Sequence, residues 1–211
     1  MAEGGPRKLT QEELEWVRLP RRYWRATLDG VQEGVHKEVL SRFLGNMKAM
    51  MASGYGLLLW GSNGVGKTSI AAVIAKEAKR AGYSVYFTRA ADYRDDVFTG
   101  AMFDSELTVR QKARSVDLLV LDDLGKEGKD ASGSAERCYE DLVRSRTADL
   151  KSTVMTTNLT VEQFSDPDLG GYRTSFLAVM RGSVLPTLVE GRDMREDDDS
   201  ALVDSLTGGE G

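Results

Sequence analysis

Long apolar runs are absent from this sequence, which argues against a membrane-spanning chain. No apolar stretch approaches the roughly 20 residues that a transmembrane helix needs, and residues 1–10 lack the apolar core of a signal peptide. Cysteine is nearly absent too. Cys138 alone cannot form an intramolecular disulfide, which agrees with a reducing compartment, and we interpret it as a small apolar residue on a helix face. We therefore expect a cytoplasmic protein that does not enter a membrane.

An excess of positive charge is also missing. The net charge of the 211 residues is −5, which argues against a protein that coats nucleic acid through bulk charge but does not exclude a local basic groove. The negative charge lies in residues 190–211, where eight acidic residues and two arginines give −6 and leave the other residues at +1. We interpret this segment as a solvated, disordered tail. The length suits one globular domain.

A glycine-rich motif stands at residues 61–68. Its letters, GSNGVGKT, fit G-x-x-x-x-G-K-[ST], the phosphate-binding pattern called the P-loop or Walker A motif. An apolar stretch at residues 55–60 predicts the strand that should precede such a loop. Apolar residues at helical spacing from Ile70 to Ala81 predict the helix that should follow it. A glycine turn followed by a chance lysine is the alternative, and this context argues against it.

Each part of the motif has a chemical role in holding a polyphosphate. The glycines let backbone N–H groups approach phosphate oxygens, Lys67 places a positive charge at the β and γ phosphates, and Thr68 offers a hydroxyl to Mg²⁺. The helix that begins here points the positive end of its dipole at the anion. We therefore predict that these residues bind the phosphates of ATP: Gly61, Ser62, Asn63, Gly64, Val65, Gly66, Lys67, Thr68 and Ser69.

A second motif ends a buried strand. Residues 116–121 are almost continuously apolar, which is typical of a strand buried on both faces of a parallel sheet. The letters DDLG follow at residues 122–125, and two carboxylates at the tip of a buried strand are costly unless they bind something. We interpret them as a Walker B motif, in which Asp122 and Thr68 hold Mg²⁺ and Asp123 polarises the attacking water. A turn with a solvated acidic pair is the alternative.

Strand and helix patterns alternate along the rest of the chain. Further strands are predicted at residues 83–88, 152–157 and 184–189, and Pro186 should place the last of them at a sheet edge. Helices are predicted at residues 92–115 with a break near Gly100, at 135–150, at 170–182, and after capping boxes at Thr10 and Thr160; a mobile loop is predicted at 125–134.

This alternation predicts an α/β fold of the P-loop NTPase class, with a five-stranded parallel sheet and helices on both faces. Ligands of such sheets bind at the carboxyl ends of the strands. The P-loop, Asp122, Asp123 and Asn158 should all meet at that edge, although they are far apart in the sequence.

Two segments before the P-loop carry patterns of their own. Residues 31–51 predict one helix, with His36 off its apolar stripe and therefore at the surface. The stripe consists of Val35, Val39, Phe43, Leu44, Met47 and Met51. Residues 21–25 interleave arginines with aromatic residues, which could stack on adenine or touch a nucleic acid. A linker pinned by two aromatic anchors explains these residues equally well.

The three motifs GSNGVGKT at 61–68, LDDLG at 121–125 and MTTN at 155–158 resemble those of AAA+ ATPases. More narrowly, residues 19–195 are similar to the DnaC-type helicase loaders and the IstB-type transposition ATPases. The resemblance implies bound ATP and Mg²⁺, an ATP-dependent homo-oligomer, and action on single-stranded DNA.

The resemblance also divides the chain. It implies an AAA+-like ATPase core at residues 55–190, a helical extension and linker at 1–54, and the acidic tail at 191–211. The small helical lid of the family would be missing or minimal. Only about twenty residues precede Pro20, whereas helicase loaders carry a helicase-binding region before the core.

Further site residues follow from the resemblance alone. Asn158 would be a sensor that orients the attacking water or touches the γ phosphate. An arginine finger would reach the ATP of a neighbouring subunit, and the candidates are Arg181, which we favour, and Arg173. Arg195 would be a second sensor that contacts the nucleotide.

The predicted function is that of an ATP-hydrolysing, helicase-loader-like factor in DNA replication, whose partner is a replicative helicase. A transposition helper with a transposase as partner is the closest alternative, and a P-loop small-molecule kinase or a non-hydrolysing ATP-binding scaffold is more distant. Asp123 is one methylene shorter than the glutamate of many related ATPases, so we expect slow hydrolysis without a partner.

Overall fold

A five-stranded parallel sheet forms the centre of the protein. The computed structural model describes residues 7–104, 107–125, 133–166 and 171–194. The strands are β1 (Gly56–Trp60), β2 (Val85–Arg89), β3 (Leu118–Leu124), β4 (Ser152–Thr157) and β5 (Val184–Leu188). They lie side by side in the order β2-β3-β4-β1-β5, and each neighbouring pair is parallel. The predicted sheet is confirmed, including the edge position of the strand that contains Pro186.

Helices cover both faces of this sheet, as the alternating pattern predicted. In the described residues they are α1 (Gln11–Trp16), α2 (Val35–Gly45), α3 (Met47–Ser53), α4 (Lys67–Arg80), α5 (Ala90–Thr99), α6 (Val109–Ser115), α7 (Ser134–Ala148), α8 (Val161–Ser165) and α9 (Thr174–Met180). Because side chains alternate along a strand, Leu57 and Leu59 join a core with α1 to α4, whereas Leu58 joins a second core with α5 to α9. None of the described helices has the length and apolarity to cross a membrane.

The two edges of the sheet are protected in different ways. At the β2 edge, the backbone N–H of Phe87 donates to the carbonyl oxygen of Val17 at 2.8 Å, so the segment after α1 covers this strand. Ser183 and Val189, which flank β5, form backbone hydrogen bonds with Gly56 and Trp60 of β1, and backbone polar groups alternate in direction along a strand. The missing N–H of Pro186 therefore faces the open side, where it removes a donor that another strand could use.

The helix predicted at residues 31–51 is wrong in two respects. The structure has two helices, α2 and α3, which are separated at Asn46. His36 is buried at 3% exposure, whereas Val35 is 74% exposed. The buried stripe is His36, Leu40, Phe43, Met47 and Met51. The imidazole ring lies over Gly34, where a Cβ would come within 2.9 Å of it, so a glycine lets the histidine enter the core.

The remaining element predictions are mostly confirmed. The capping boxes at Thr10 and Thr160 are present, and Cys138 is buried on α7. Gly100 ends α5 with a φ of 69°, but helix does not resume until Val109. Residues 126–132 of the predicted mobile loop lie outside the described residues, as does the tail beyond residue 194.

Candidate functional site

The P-loop connects the end of β1 to the start of α4. Its backbone turns through Gly61, Gly64 and Gly66, whose φ angles of 143°, 80° and 97° lie in the region that favours glycine. At Gly61 a side chain would also collide, because its Cβ would lie 2.3 Å from the carbonyl oxygen of Val189. The loop leads directly into α4, so the unpaired N–H groups at the start of this 14-residue helix lie at the loop.

The side chain of Lys67 lies within the loop. It is only 6% exposed, and its Nζ donates to the carbonyl oxygens of Gly61 at 2.9 Å and Ser62 at 2.6 Å. Burial reduces the screening of this charge by water, so its attraction for a nearby anion is stronger than at the surface. The placement suits the phosphate-binding role predicted for Lys67.

Thr68 on α4 faces Asp122 at the tip of β3. Thr68 Oγ1 donates to Asp122 Oδ1 at 3.0 Å, and the carboxylate is 5% exposed. Adjacent oxygen ligands of an octahedral Mg²⁺ lie about 3 Å apart when the bonds are about 2.0–2.1 Å long, so this pair fits the metal. In the described parts of the chain no group of three or more His, Cys, Asp or Glu could hold a metal ion. Mg²⁺ does not require one, because it takes most of its ligands from phosphate and water.

The strand β3 contains a β-bulge at the two carboxylates. Its ladder with β4 is regular up to Leu121 and resumes at Leu124, so Asp122 and Asp123 together face one residue of β4, Thr156. Asp123 has a φ of 61°, in the left-handed region that non-glycine residues seldom occupy. Bulges next to functional sites redirect side chains. This bulge separates the buried carboxylate of Asp122 from the half-buried residue Asp123.

The predicted residues converge on one cavity of about 590 Å³ at the carboxyl ends of the strands. Its lining includes Asn63, Gly64, Gly66, Lys67, Thr68, Ser69, Asp122, Asp123 and Asn158. Within the described residues, the Nδ2 atom of Asn158 is buried without a hydrogen-bond partner. Buried donors are rarely left unpaired in folded proteins, so this amide is available to a ligand.

Other predicted residues lie apart from the cavity. Gly61, Ser62 and Val65 shape the loop without lining the cavity. Arg181, at the end of α9, is exposed and borders a separate apolar pocket of about 300 Å³. Arg173 donates its backbone N–H to Glu136 and forms an ion pair with the same carboxylate at 3.5 Å. Arg195 lies outside the described residues.

The cavity also contains residues that the motifs did not identify: Pro20, Ala26, Arg89 and Met194. Arg89 stands next to Asp122 in the sheet register, and only knowledge of the strand order could have indicated it. Arg89 is tied to Asp92 by two hydrogen bonds of 2.6 and 2.7 Å.

The segment of residues 20–26 forms one wall of the cavity. Arg22 and Tyr23 line it, as the adenine-stacking interpretation requires. Trp24 acts as an anchor, because its Nε1 donates to the carbonyl oxygen of Leu19 at 2.8 Å. The Nζ of buried Lys76 on α4 donates to the carbonyl oxygens of Trp24 and Ala26 at 2.6 and 2.7 Å, and burial lowers its pKa. The segment of residues 20–26 is therefore fixed to α4, the helix that follows the P-loop.

The last described segment closes another side of the P-loop. Val189 N donates to Trp60 O at 2.8 Å, and Met194 N donates to Gly64 O at 3.0 Å. The side-chain amide of Gln32 exchanges two hydrogen bonds with the backbone of Arg192, at 3.0 and 3.1 Å. These contacts hold the segment against the loop.

Comparisons with known proteins identify the family and the fold. Residues 38–170, more than half of the chain, match the family described as IstB-like ATP binding protein. No curated protein sequence matches the chain significantly.

Several solved structures share the fold. The DnaC helicase loader has a TM-score of 0.67 and 24% identity, with 81% of this chain and 100% of that chain covered. DnaI has a TM-score of 0.64 and 22% identity, with 82% and 95% covered. The replication initiator DnaA bound to AMPPCP and single-stranded DNA has a TM-score of 0.62 and 20% identity, with 89% and 56% covered. The chain thus spans little more than half of the DnaA chain.

Proposed function

The chain belongs to the family of IstB-like ATP binding proteins, and from this premise we propose that it is an AAA+ ATPase that acts in DNA replication. It would bind ATP and Mg²⁺ between two copies of itself, hydrolyse ATP, and engage single-stranded DNA or a replicative helicase. The observation that carries the proposal is the meeting of the P-loop, the Thr68–Asp122 pair and Asn158 in one cavity.

The residues of the cavity would divide the work. Lys67 and the start of α4 attract the phosphates, and Thr68 with Asp122 would hold Mg²⁺. The metal would supply charge neutralisation on the phosphate oxygens. Asp123 would accept a hydrogen bond from the attacking water and orient it. Asn158, with its buried amide, would donate to the γ phosphate or the water.

The arginine finger would come from a second copy. Arg181 is exposed and borders a pocket other than the nucleotide cavity of its own chain, which suits a residue that would reach a phosphate in a neighbouring copy. Arg173 is a weaker candidate because Glu136 already binds it. An interface of this kind predicts slow hydrolysis by an isolated chain, since the site would be incomplete.

A surface beside β2 supports contact with single-stranded DNA. We define the aromatic–cation patch as Trp16, Arg18, Phe103 and Lys112. Trp16 is 52% exposed and meets Phe103 edge to face at 5.6 Å, while the Arg18 guanidinium lies 4.9 Å from the Phe103 ring centroid. Bases stack on exposed aromatic rings such as that of Trp16. The Arg18 guanidinium also pairs with Asp96 at 3.5 Å, so base stacking is the main contribution that this patch offers. The DnaA neighbour is described as bound to single-stranded DNA.

The test measures phosphate release from ATP with and without single-stranded DNA, together with the mass of the protein in ATP and in ADP. We expect slow release by the chain alone, faster release with DNA, and a larger mass in ATP. Lys67→Ala should lose ATP binding. A Lys67→Ala protein with unchanged ATP affinity would contradict the whole site, and fast hydrolysis by a persistent monomer would contradict the shared interface.

Mixing variants tests the finger directly. Arg181→Ala should bind ATP but hydrolyse it about 10³-fold more slowly or worse, whereas Arg173→Ala, the matched control, should retain activity. A mixture of Lys67→Ala and Arg181→Ala chains should recover activity that neither has alone, because one interface then contains both intact parts. Wild-type rates for Arg181→Ala would exclude it as the finger.

A transposition helper is the second candidate, because the family match is to IstB-like proteins. The partner that accelerates hydrolysis distinguishes the two functions: a replicative helicase for the first and a transposase for the second. The same assays address the remaining alternatives. Transfer of phosphate to a metabolite would identify a kinase, and tight ATP binding without phosphate release would identify a scaffold.

A further inference from the structure

Thr156 on β4 connects the two carboxylates of β3. Its side chain is fully buried. Thr156 Oγ1 donates to Asp122 Oδ1 at 2.6 Å and accepts a hydrogen bond from the backbone N–H of Asp123 at 2.9 Å. This residue belongs to the MTTN motif at 155–158 and stands two positions before Asn158, but the motif gave it no role.

The position of Thr156 follows from the β-bulge. Asp122 and Asp123 together face this single residue of β4, and a bulge takes one residue out of the regular ladder. The Thr156 hydroxyl then accepts the Asp123 N–H that the bulge displaces. It thereby holds a backbone whose φ of 61° is unfavourable for an aspartate.

The direction of the two hydrogen bonds is fixed by the chemistry of a hydroxyl. Thr156 has one O–H hydrogen, and the ionised Asp122 can only accept, so the hydrogen points to Asp122 and a lone pair remains for the Asp123 N–H. The orientation of the Asp122 carboxylate and the backbone of Asp123 are therefore coupled through one atom.

We propose that Thr156 is a positioning residue of the site, which fixes the Asp122 carboxylate for the metal and the Asp123 backbone for the water-polarising carboxylate. The proposal rests on the ATPase function proposed above. Thr156 touches neither nucleotide nor metal in this role, and acts only through the two aspartates. Removing its hydroxyl should slow the chemical step more than it weakens ATP binding.

The test compares Thr156→Val, which keeps the shape and removes the hydroxyl, with Thr156→Ser, which keeps the hydroxyl. The matched control is Thr153→Val, at the other end of β4, because Thr153 is also buried and its Oγ1 accepts from Arg146 at 3.0 Å. The readouts are kcat and KM for ATP, the Mg²⁺ concentration for half-maximal rate, and hydrogen exchange of the Asp123 amide without nucleotide or metal. Thr156→Cys, of similar size and with a weakly hydrogen-bonding thiol, replaces Thr156→Val if the latter does not fold.

For Thr156→Val we expect kcat to fall about 10- to 100-fold, the usual effect of losing a residue that orients a metal ligand, with KM within about threefold of wild type. The Asp123 amide should exchange faster. Thr156→Ser should restore kcat and the slower exchange of the Asp123 amide, and Thr153→Val should change neither, whatever stability it loses.

Wild-type kcat or unchanged Asp123 exchange in Thr156→Val would overturn the proposal. An equal loss of kcat in Thr153→Val would also overturn it, by reducing the effect to stability. If the wild-type chain hydrolyses no ATP, the proposed function fails separately. The exchange of the Asp123 amide then still decides whether Thr156 positions this backbone.

Discussion

Backbone strain in the described residues coincides with the proposed catalytic site at a single residue. Arg18, Asp123 and Leu150 are the non-glycine residues with positive φ in the described ranges, and of these Asp123 alone lines the nucleotide cavity. The left-handed conformation costs a non-glycine residue about 1–2 kcal/mol. Such strain is retained where the surrounding structure enforces it and function requires it. The proposed role of the Asp123 carboxylate toward the attacking water would explain why the strain is retained at this residue.

Asp123→Gly should therefore stabilise the fold while removing hydrolysis. Glycine adopts a φ of 61° without strain, so the free energy of unfolding should rise by about 0.5–1 kcal/mol in urea titrations. Asp149→Gly is the control, because Asp149 is exposed and has a φ of −92°. The free energy of unfolding of Asp149→Gly should fall by a similar amount, because glycine gives the unfolded chain more conformational entropy. A destabilised Asp123→Gly would show that its backbone is not strained.

Residues of the site could be predicted where local pattern and chemistry coincide. The P-loop could be predicted from the spacing of its residues. The Asp122–Asp123 pair could be predicted from its negative charge at the end of an apolar run. Thr156 and Arg89 carry no such signal, since their roles depend on which strands are neighbours in the order β2-β3-β4-β1-β5. A bulge that places one threonine opposite two aspartates depends on the pairing register, which the sequence of either strand alone does not reveal.

At the scale of secondary-structure elements, the amino ends of the strands are held by one buried arginine on α7. Arg146 is completely buried and donates to the carbonyl oxygens of Ala113 at 2.6 Å, Val116 at 2.9 Å and Ser152 at 2.5 Å. It thus joins α6, the approach to β3 and the start of β4. Ala113 lies in the last turn of α6, Val116 follows that helix, and Ser152 begins β4, so the guanidinium binds carbonyl groups at the ends of three segments.

Arg146→Met should destabilise the protein by about 3–5 kcal/mol, because the buried carbonyl groups lose their donors. Arg144→Met is the matched control on the same helix. Arg144 is exposed and forms an ion pair with Glu140 at 2.6 Å, so its loss should change stability by less than about 0.5 kcal/mol. Denaturant titration of both variants measures the difference, and equal effects would refute the role of Arg146.

A second interaction at the amino ends of the strands should respond to pH. We call it the clamp, and it consists of Asp117 with Lys151 and Ser84. Burial by itself would raise the pKa of Asp117, but hydrogen bonds from Lys151 at 2.8 Å and from Ser84 at 2.7 and 3.0 Å outweigh it and lower the pKa to about 2. The unfolded chain titrates near 3.8. The stabilisation is therefore complete above about pH 4 and is lost as the pH falls toward 2.

Asp117→Asn should consequently cost roughly 1 kcal/mol at pH 7, a figure reduced for screening because the carboxylate is 37% exposed. Its stability difference from wild type should shrink between about pH 4 and pH 2. Unfolding in urea at several pH values measures this difference. Asp149→Asn, a change of charge at an exposed turn, should show no such convergence; a pH-independent Asp117→Asn effect would argue against the clamp.

Secondary structure could be predicted well where one pattern dominates. The strands and the P-loop helix contain clear apolar patterns, and glycines mark where several of these elements end. The region of α2 and α3 was predicted incorrectly, because its apolar residues fit more than one helical stripe. The stripe that is buried in the structure includes His36. A histidine joins a core stripe only when the backbone beside it leaves room, and Gly34 provides that room through tertiary packing.

At the scale of the whole molecule, the proposed reaction would need more than one copy, because Arg181 borders a pocket other than the cavity of the proposed nucleotide site. The sheet itself does not provide the means of association. Val17 covers one edge, and Pro186 removes a donor from the other. Exposed Leu185 and Leu188 nevertheless flank Pro186 on β5.

Pro186→Val should allow the β5 edge to pair with strands of other chains. It restores the missing N–H between two exposed leucines, and such an edge pairs readily with other chains. We expect larger species in light scattering at rising concentration without ATP. Adding Leu188→Lys should reverse the effect, because an edge lysine opposes strand pairing. Unchanged scattering by Pro186→Val would mean that the edge was already incompetent for other reasons.

The proline at the open edge has a consequence for timing. Contacts made by a ladder of backbone hydrogen bonds break slowly, whereas contacts between side-chain surfaces can form and dissolve within one turnover. With strand pairing discouraged at Pro186, the copies in the proposed assembly would associate through the second kind. The bound nucleotide could then set how long the proposed assembly lasts.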